Sequence, residues 1–157
     1  HKYLQNLVKR LAQEKGFHTT LEKPVLDNLG LVDVSLKGFD KNIAVEISVN
    51  TKDKWEASNI SKCLSANYDI VVLLSDDANH LEKLEENLTK EFKIEIENSK
   101  LQFLNPEQLI TLLDNVRASG SNKEEVVAGY KVKVNYIPST KTEQKIRDES
   151  IARVLLN

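Results

Sequence analysis

The chain has very few of the residues that build disulfides and zinc sites. It contains one cysteine, Cys63, and three histidines spread over 157 residues. A single cysteine excludes an internal disulfide and is typical of a reducing compartment, so we expect a cytoplasmic protein. Histidines without cysteine partners exclude the usual zinc signatures.

Long apolar runs and an excess of charge of one sign are also missing. No apolar run approaches the ~20 residues of a membrane span, so we expect no membrane partner. The formal net charge is −2, so no overall positive field attracts nucleic acid, although local basic patches stay open. The chain begins with His1 rather than Met, which predicts a piece of a longer polypeptide. What remains, 40% apolar and 29% charged residues, is the composition of one globular domain with or without an appendage.

Two strand-like segments each hold one carboxylate among apolar residues. Segment 31–36 contains Asp33, and segment 43–49 contains Glu46. The residues between them, 37–41, suit a hairpin turn. Pairing of the two strands can therefore bring both carboxylates within about 4–6 Å, where they repel unless a cation or a proton lies between them. A hard cation such as Mg²⁺ binds through one or two carboxylates and keeps several waters.

Alternation along the strands assigns faces to these segments. A period of two places Asp33 on the face of Ser35. It places Glu46 on the face of Ala44 and Ser48. The apolar residues expected on the opposite face of the first segment are Val32, Val34 and Leu36.

Periodicity and capping signals predict the other elements of the chain. They are a helix over 3–15, a strand over 17–25, a helix from Asp53 to about Ala66, a buried strand over 69–74, a helix over 77–91, a short strand over 92–96 and a helix from Pro106 to about Val116. The three early strands form an antiparallel meander, and the fourth follows a crossover helix and pairs in parallel. The fold class is α/β, an αβββαβ core with a mixed central sheet flanked by helices.

The C-terminal part reads as an addition to this core. A linker or loop is expected over 118–128, where Ser, Gly and Asn cluster. After it we expect a strand over 130–136 and a final helix to about Leu156. The chain thus divides into a core with a helical extension over 1–117, the linker, and a strand and helix over 129–157 packed on the core.

This order of elements, with Asp33 in the second strand and Glu46 in the third, resembles the PD-(D/E)xK nuclease superfamily. That superfamily includes restriction endonucleases and Holliday-junction resolvases. The matching residues are Val32-Asp33-Val34 and Ala44-Val45-Glu46-Ile47-Ser48, and the similarity covers roughly residues 1–75. It implies a restriction endonuclease-like fold and a hydrolase that binds DNA, with magnesium or manganese held by Asp33 and Glu46.

The chain departs from the family pattern at Ser48, where the family has a lysine that activates water and stabilises developing charge. In the superfamily this lysine can migrate to a neighbouring helix, and the candidates here are Lys52, Lys54 and Lys62. We favour Lys62, because the other two lie in or near a loop. A half-exposed lysine contributes little to stability, so Lys62→Ala is expected to leave the fold intact.

Several further residues are candidates for accessory roles. Glu56 and Asn59 lie three apart on the helix of Lys62 and share a face. Gln5 on the first helix can point toward the site, and Glu22 is either a third acid or a solvated strand residue. Ser48 itself lies on the face of Glu46. Candidate nucleic-acid contacts are Lys52, Lys54, Trp55, Lys131 and Lys133; the ordinary alternatives are a solvated charged face and, for Trp55, a packing anchor.

Two other functions stay open at this stage. Loss of the lysine favours a catalytically degenerate module that binds nucleic acid or protein. Segment 44–51, together with Glu56, Asn59, Lys62 and Cys63, also resembles nuclease-like C-terminal domains of conjugation or helicase-type ATPases. The partner would then be the parent ATPase or a mobile-element protein. A homodimer stays open in each case.

Overall fold

The computed structural model describes residues 1–28, 30–49, 53–121, 124–127 and 130–133. The chain divides into two compact units, His1–Gly120 and Ser121–Asn157. The first unit contains both carboxylate strands and is α/β. None of the described helices is long and apolar enough to cross a membrane.

The first unit opens with a helix and three consecutive strands, which are followed by a helix, a strand, two helices, a strand and a final helix. The helices are α1 (Lys2–Glu14), α2 (Asp53–Ser65), α3 (Ala78–Leu88), α4 (Lys93–Glu97) and α5 (Pro106–Ser121). The strands are β1 (His18–Val25), β2 (Gly30–Gly38), β3 (Lys41–Ile47), β4 (Ile70–Leu74) and β5 (Leu101–Leu104). Two further strands, β6 (Glu124–Val127) and β7 (Tyr130–Lys133), follow.

The five strands of the first unit form one mixed sheet in the order β1-β2-β3-β4-β5. The pairs β1–β2 and β2–β3 are antiparallel, and β3–β4 and β4–β5 are parallel. Short turns join the antiparallel strands, and helix α2 provides the crossover that parallel pairing requires. The predicted α/β class and mixed sheet are therefore confirmed.

Each face of the sheet has its own apolar core. One cluster holds α1 and α5 residues such as Val8 and Leu113 against β3 and β4. The other holds α2 and α3 residues such as Ile60 and Leu84 against the opposite face. Because both faces are covered, β4 is a continuous apolar run, as expected for a strand buried on both sides.

The short strand predicted over 92–96 is wrong, because this segment forms helix α4. The sequence has apolar residues at 92, 94 and 96, which alternation reads as one strand face. A helix instead brings Phe92 and Ile96 together at i, i+4. Both contact the apolar cluster under α2 and α3, and Ile94 is left 68% exposed. The parallel strand β5, four residues long, was not predicted.

Helix α5 continues five residues beyond the predicted end at Val116. Gly120, taken in the sequence as a linker signal, lies inside this helix. A Cβ atom at Gly120 would be 2.5 Å from the Cβ of Phe39 in the turn between β2 and β3. The glycine therefore permits a close approach of the helix to that turn.

Strands β6 and β7 form an antiparallel pair of their own, with Val127 opposite Tyr130. Strand β6 occupies part of the predicted linker, and β7 begins where a strand was predicted. The end of that predicted strand and the predicted final helix lie outside the described residues.

Candidate functional site

Asp33 lies where strands β2 and β3 part. Their register runs from Gly38 opposite Lys41 to Val34 opposite Val45 and stops there. One residue further, Asp33 Oδ2 accepts a hydrogen bond of 2.9 Å from the backbone N–H of Ile47. A side-chain carboxylate thus replaces the backbone acceptor of a regular ladder, and the two strands are free to diverge.

The predicted alternation of β2 does not hold through Asp33. Val34 and Leu36 pack in the core under α1 and α5, but Val32 packs in the core under α2 and α3. The neighbouring strand has a matching irregularity at Glu22, whose φ is 48°. Irregularities in both strands, at Glu22 of β1 and at Asp33 of β2, turn the following side chains to the other face of the sheet. The pairing register of β1 and β2 is unchanged across them.

Glu46 faces helix α2 from the middle of the sheet. Its side chain is 3% exposed. The Cys63 thiol donates to Oε1 at 3.2 Å, and the Lys62 ammonium lies 3.1 Å from the same oxygen. The two donors are consecutive residues of α2 and both reach the same carboxylate oxygen, so Glu46 is held by a buried ion pair and a thiol hydrogen bond.

The ammonium group of Lys62 contacts three acceptors within the protein. It donates to the backbone carbonyl of Leu31 and, at 3.3 Å, to Oδ1 of Asn59, besides its contact with Glu46. An ammonium has three N–H donors, and three protein acceptors match them. The side chain is 15% exposed, so Lys62 is a structural ion-pair partner as well as a candidate catalytic cation.

The electrostatics of the site join Asp33, Glu46 and Lys62. Burial raises the pKa of the Glu46 carboxyl to about 7; the Lys62 ammonium opposes this rise, and the Asp33 charge adds to it. Burial also raises the pKa of Asp33, against the hydrogen bond from Ile47 and the charge of Lys62. The Cys63 thiol has a raised pKa because it is buried beside Glu46. Removal of the acids from water therefore outweighs the opposing effect of the nearby positive charges.

Two side chains from the start of the chain complete the surroundings of Asp33, His1 just before α1 and Gln5 within it. Gln5, which is buried, hydrogen-bonds the carboxylate. His1 Nε2 lies 3.0 Å from Oδ2. Gln5, a predicted accessory residue, thus lies at Asp33, and the first helix contributes to the orientation of the acid.

Ser48, at the family's lysine position, is fully buried and hydrogen-bonds His80 of α3 at 2.8 Å. No sequence signal pairs these residues, because they meet only through the packing of α3 at the end of β3. Cys63 as a donor to Glu46 was missed for the same reason. The thiol also belongs to the apolar cluster under α2 and α3.

The remaining candidates differ in their distance from this cluster. Asn59 accepts a hydrogen bond from the Lys62 ammonium. Glu22 is exposed on β1. Glu56 is buried on α2, and among the described residues its Oε1 has no hydrogen-bond partner. Lys54 and Trp55 are exposed at the start of α2, so Trp55 is not a packing anchor. Lys131 and Lys133 lie on β7, and Lys52 lies outside the described residues.

The aliphatic part of the Lys62 side chain passes directly over Gly30 on its way to Glu46. A Cβ atom at Gly30 would lie 2.5 Å from Cδ of Lys62. We expect Gly30→Ala to displace the lysine and to destabilise the fold by about 1–3 kcal/mol, the usual cost of overpacking. Urea unfolding measures this. In the Lys62→Ala background, where no stem is left to displace, Gly30→Ala should cost far less; equal costs in both backgrounds would exclude this steric coupling.

The raised pKa of Glu46 makes stability depend on pH. Between its ordinary value of 4.5 and about 7, the folded state binds more protons than the unfolded state, so stability falls as pH rises. The loss between pH 5.5 and pH 8 is about 2 kcal/mol. Urea unfolding at both pH values should show this loss in wild type and in Glu82→Gln, a surface control on α3. Glu46→Gln should lack it; an unchanged pH dependence in that variant would refute the assignment.

A metal ion at this site would have two protein carboxylates. Among the residues that the structure describes, no group of three or more His, Cys, Asp or Glu is arranged to hold a metal. Two carboxylates meet the requirement of Mg²⁺, which keeps several waters. Besides burial, the charge of Asp33 adds to the raised pKa of Glu46, and a cation between the two carboxylates would relieve this repulsion.

Comparison of the chain with protein-family models, curated proteins and solved structures found no match.

Proposed function

We propose that the first unit is a restriction endonuclease-like domain of the PD-(D/E)xK type that hydrolyses DNA phosphodiesters with Mg²⁺ or Mn²⁺. The observation that carries the proposal is the buried contact of 3.1 Å between Lys62 and Glu46. The departure at Ser48 requires a lysine from elsewhere, and α2 brings one to the motif glutamate. Asp33 interacts electrostatically with both residues.

Asp33 and Glu46 would hold the metal through their carboxylates. Oε1 of Glu46 already accepts from the Cys63 thiol and lies against the Lys62 ammonium. A bound Mg²⁺ supplies a water of lowered pKa and offsets negative charge on the phosphate.

The protein's own residues prepare these ligands. Lys62 favours the ionised form of Glu46, and the Cys63 thiol fixes the carboxylate by donating to it. The Ile47 N–H and Gln5 do the same for Asp33. Preorganised charges in a buried site stabilise a transition state more than they would in water, because they need no rearrangement during the reaction.

Cleavage assays test the proposal directly. Single-stranded, duplex and branched DNA, and RNA as a comparison, are incubated with Mg²⁺ or Mn²⁺ and with EDTA. The proposal expects metal-dependent cleavage of at least one DNA by wild type and by Asp76→Asn, an exposed-acid control, but none by Asp33→Asn. If wild type cleaves no DNA under any of these conditions, the catalytic assignment is refuted.

A second candidate is a catalytically degenerate module of the same fold, acting within a larger ATPase or mobile-element protein. The specific observation in its favour is that all three donors of Lys62 are taken by protein acceptors. A lysine committed in this way stabilises the fold even where no reaction occurs. Binding of DNA without cleavage in the same assays would select this candidate.

A further inference from the structure

Trp55 is the only tryptophan of the chain and one of its most exposed large apolar side chains. It lies in the first turns of α2 and is 66% exposed. Tryptophan is highly buried on average. Among the described residues Trp55 has no ring-stacking or cation–π contact. Packing therefore does not account for most of the surface of this side chain.

The position of Trp55 on α2 relates it to the candidate site. Residues four and seven further along a helix lie on the same flank, and here they are Asn59 and Lys62. The Lys62 ammonium donates a hydrogen bond to Asn59 on this flank. The same ammonium contacts Glu46. With a rise of 1.5 Å per residue, Trp55 is about 10 Å along the helix from Lys62.

We propose that Trp55 is a stacking platform for an unpaired base of single-stranded DNA whose backbone passes Lys62 and Glu46. The inference rests on the proposed function, since it identifies the substrate class of the same site. Bases within a duplex are stacked on both neighbours and offer no face to an indole, whereas an unpaired base does. A single strand spans the distance of about 10 Å between Trp55 and Lys62 with a few nucleotides.

The charge of the chain favours stacking over phosphate contacts as the source of affinity. The net charge is −2, and the Lys62 charge is paired with Glu46. Lys54, exposed beside Trp55, is the nearest lysine left for a phosphate among the described residues of α2. Few phosphates would then be neutralised, so we expect log K to fall with log salt with a slope of only about −1 to −2.

The fluorescence of Trp55 reports binding without interference, because no other tryptophan is present. A short oligo-dT strand and a duplex of equal length are titrated into wild-type protein in EDTA, so that cleavage does not occur. We expect the single strand to quench Trp55 and to bind at least about tenfold more tightly than the duplex. Equal affinity for both, or saturable binding without quenching, would overturn the proposal.

Variants are compared by fluorescence anisotropy of a labelled strand. Trp55→Ala should weaken binding roughly five- to hundredfold, the range expected for loss of one base–aromatic stack, and Trp55→Phe should retain part of the affinity. Tyr3→Ala, which removes an aromatic side chain that is 74% exposed on α1, should bind as wild type. Unchanged affinity of Trp55→Ala would refute the platform, and so would binding of oligo-dT too weak to measure by wild type.

The two proposals fail in distinguishable ways. Glu46→Gln should keep Trp55-dependent binding in EDTA and lose cleavage. Quenching by single-stranded DNA without any cleavage by wild type would support the platform and refute the nuclease. Cleavage of single-stranded DNA that is equally fast in wild type and Trp55→Ala at substrate concentrations below saturation would support the nuclease and refute the platform.

Discussion

Replacing Glu46 by glutamine is expected to lower metal-dependent cleavage by at least about a hundredfold. The amide keeps the size of the side chain but removes the negative charge that a divalent cation needs. Its loss should appear both in the cleavage rate and in the affinity for Mn²⁺. Glu82→Gln makes the same chemical change on the surface of α3 and should cleave as wild type.

Lys62→Ala tests whether Lys62 is the catalytic cation that replaces the missing motif lysine. It should lower the cleavage rate by about 10²–10³-fold, the range observed when one preorganised transition-state donor is removed. Mn²⁺ should still bind, because both carboxylates remain. If wild type cleaves and Lys62→Ala cleaves equally fast, the lysine on α2 does not replace the missing motif lysine.

Lys62→Met is expected to destabilise the protein by about 3–5 kcal/mol at pH 8. The methionine fills the space of the stem but leaves the Glu46 carboxylate, 2% exposed, without its counter-charge. At pH 5.5 the cost should be smaller, because Glu46, with a pKa raised to about 7, takes up a proton instead. The sequence-based expectation that loss of Lys62 leaves the fold unaffected assumed a half-exposed side chain, and the structure makes it 15% exposed.

A double-mutant cycle separates the ion pair from other effects. Urea unfolding is measured for wild type, Lys62→Met, Glu46→Gln and the double variant. The double variant should be more stable than Lys62→Met alone, since no buried charge is left unpaired. Lys83→Met, on the exposed side of α3, should change stability by less than about 0.5 kcal/mol. Additive effects of the two substitutions would contradict a direct interaction.

The sheet could be predicted because its signals are local. Alternation in β2 and β3, the short turns and the continuous apolar run of β4 all favour one arrangement. Periodicity gave a wrong element in segment 92–96, where the apolar residues fit the period of a strand and also that of a helix. At Gly120 the glycine permits close packing of a helix and does not form a turn. The break of alternation at Asp33 depends on the neighbouring strand and has no local signature.

The site could be predicted only in part, for a related reason. Register relates Asp33 to Glu46, and the length of a lysine side chain allows Lys62 to reach them from the next helix. The donor role of Cys63, the path beside Gly30 and the contact of Ser48 with His80 depend on how helices settle on the sheet. Such contacts join residues far apart in sequence, and residue type alone does not indicate them.

Titration of Mn²⁺ into the protein, followed by electron paramagnetic resonance of the free ion, tests the central claim most directly. The account predicts one saturable site per chain in wild type, with affinity that rises as the pH is raised through about 7, where Glu46 ionises. Asp33→Asn and Glu46→Gln should each weaken this site at least tenfold, and Glu82→Gln should leave it unchanged. The absence of a saturable site in wild type, or equal affinity in all four proteins, would contradict the account.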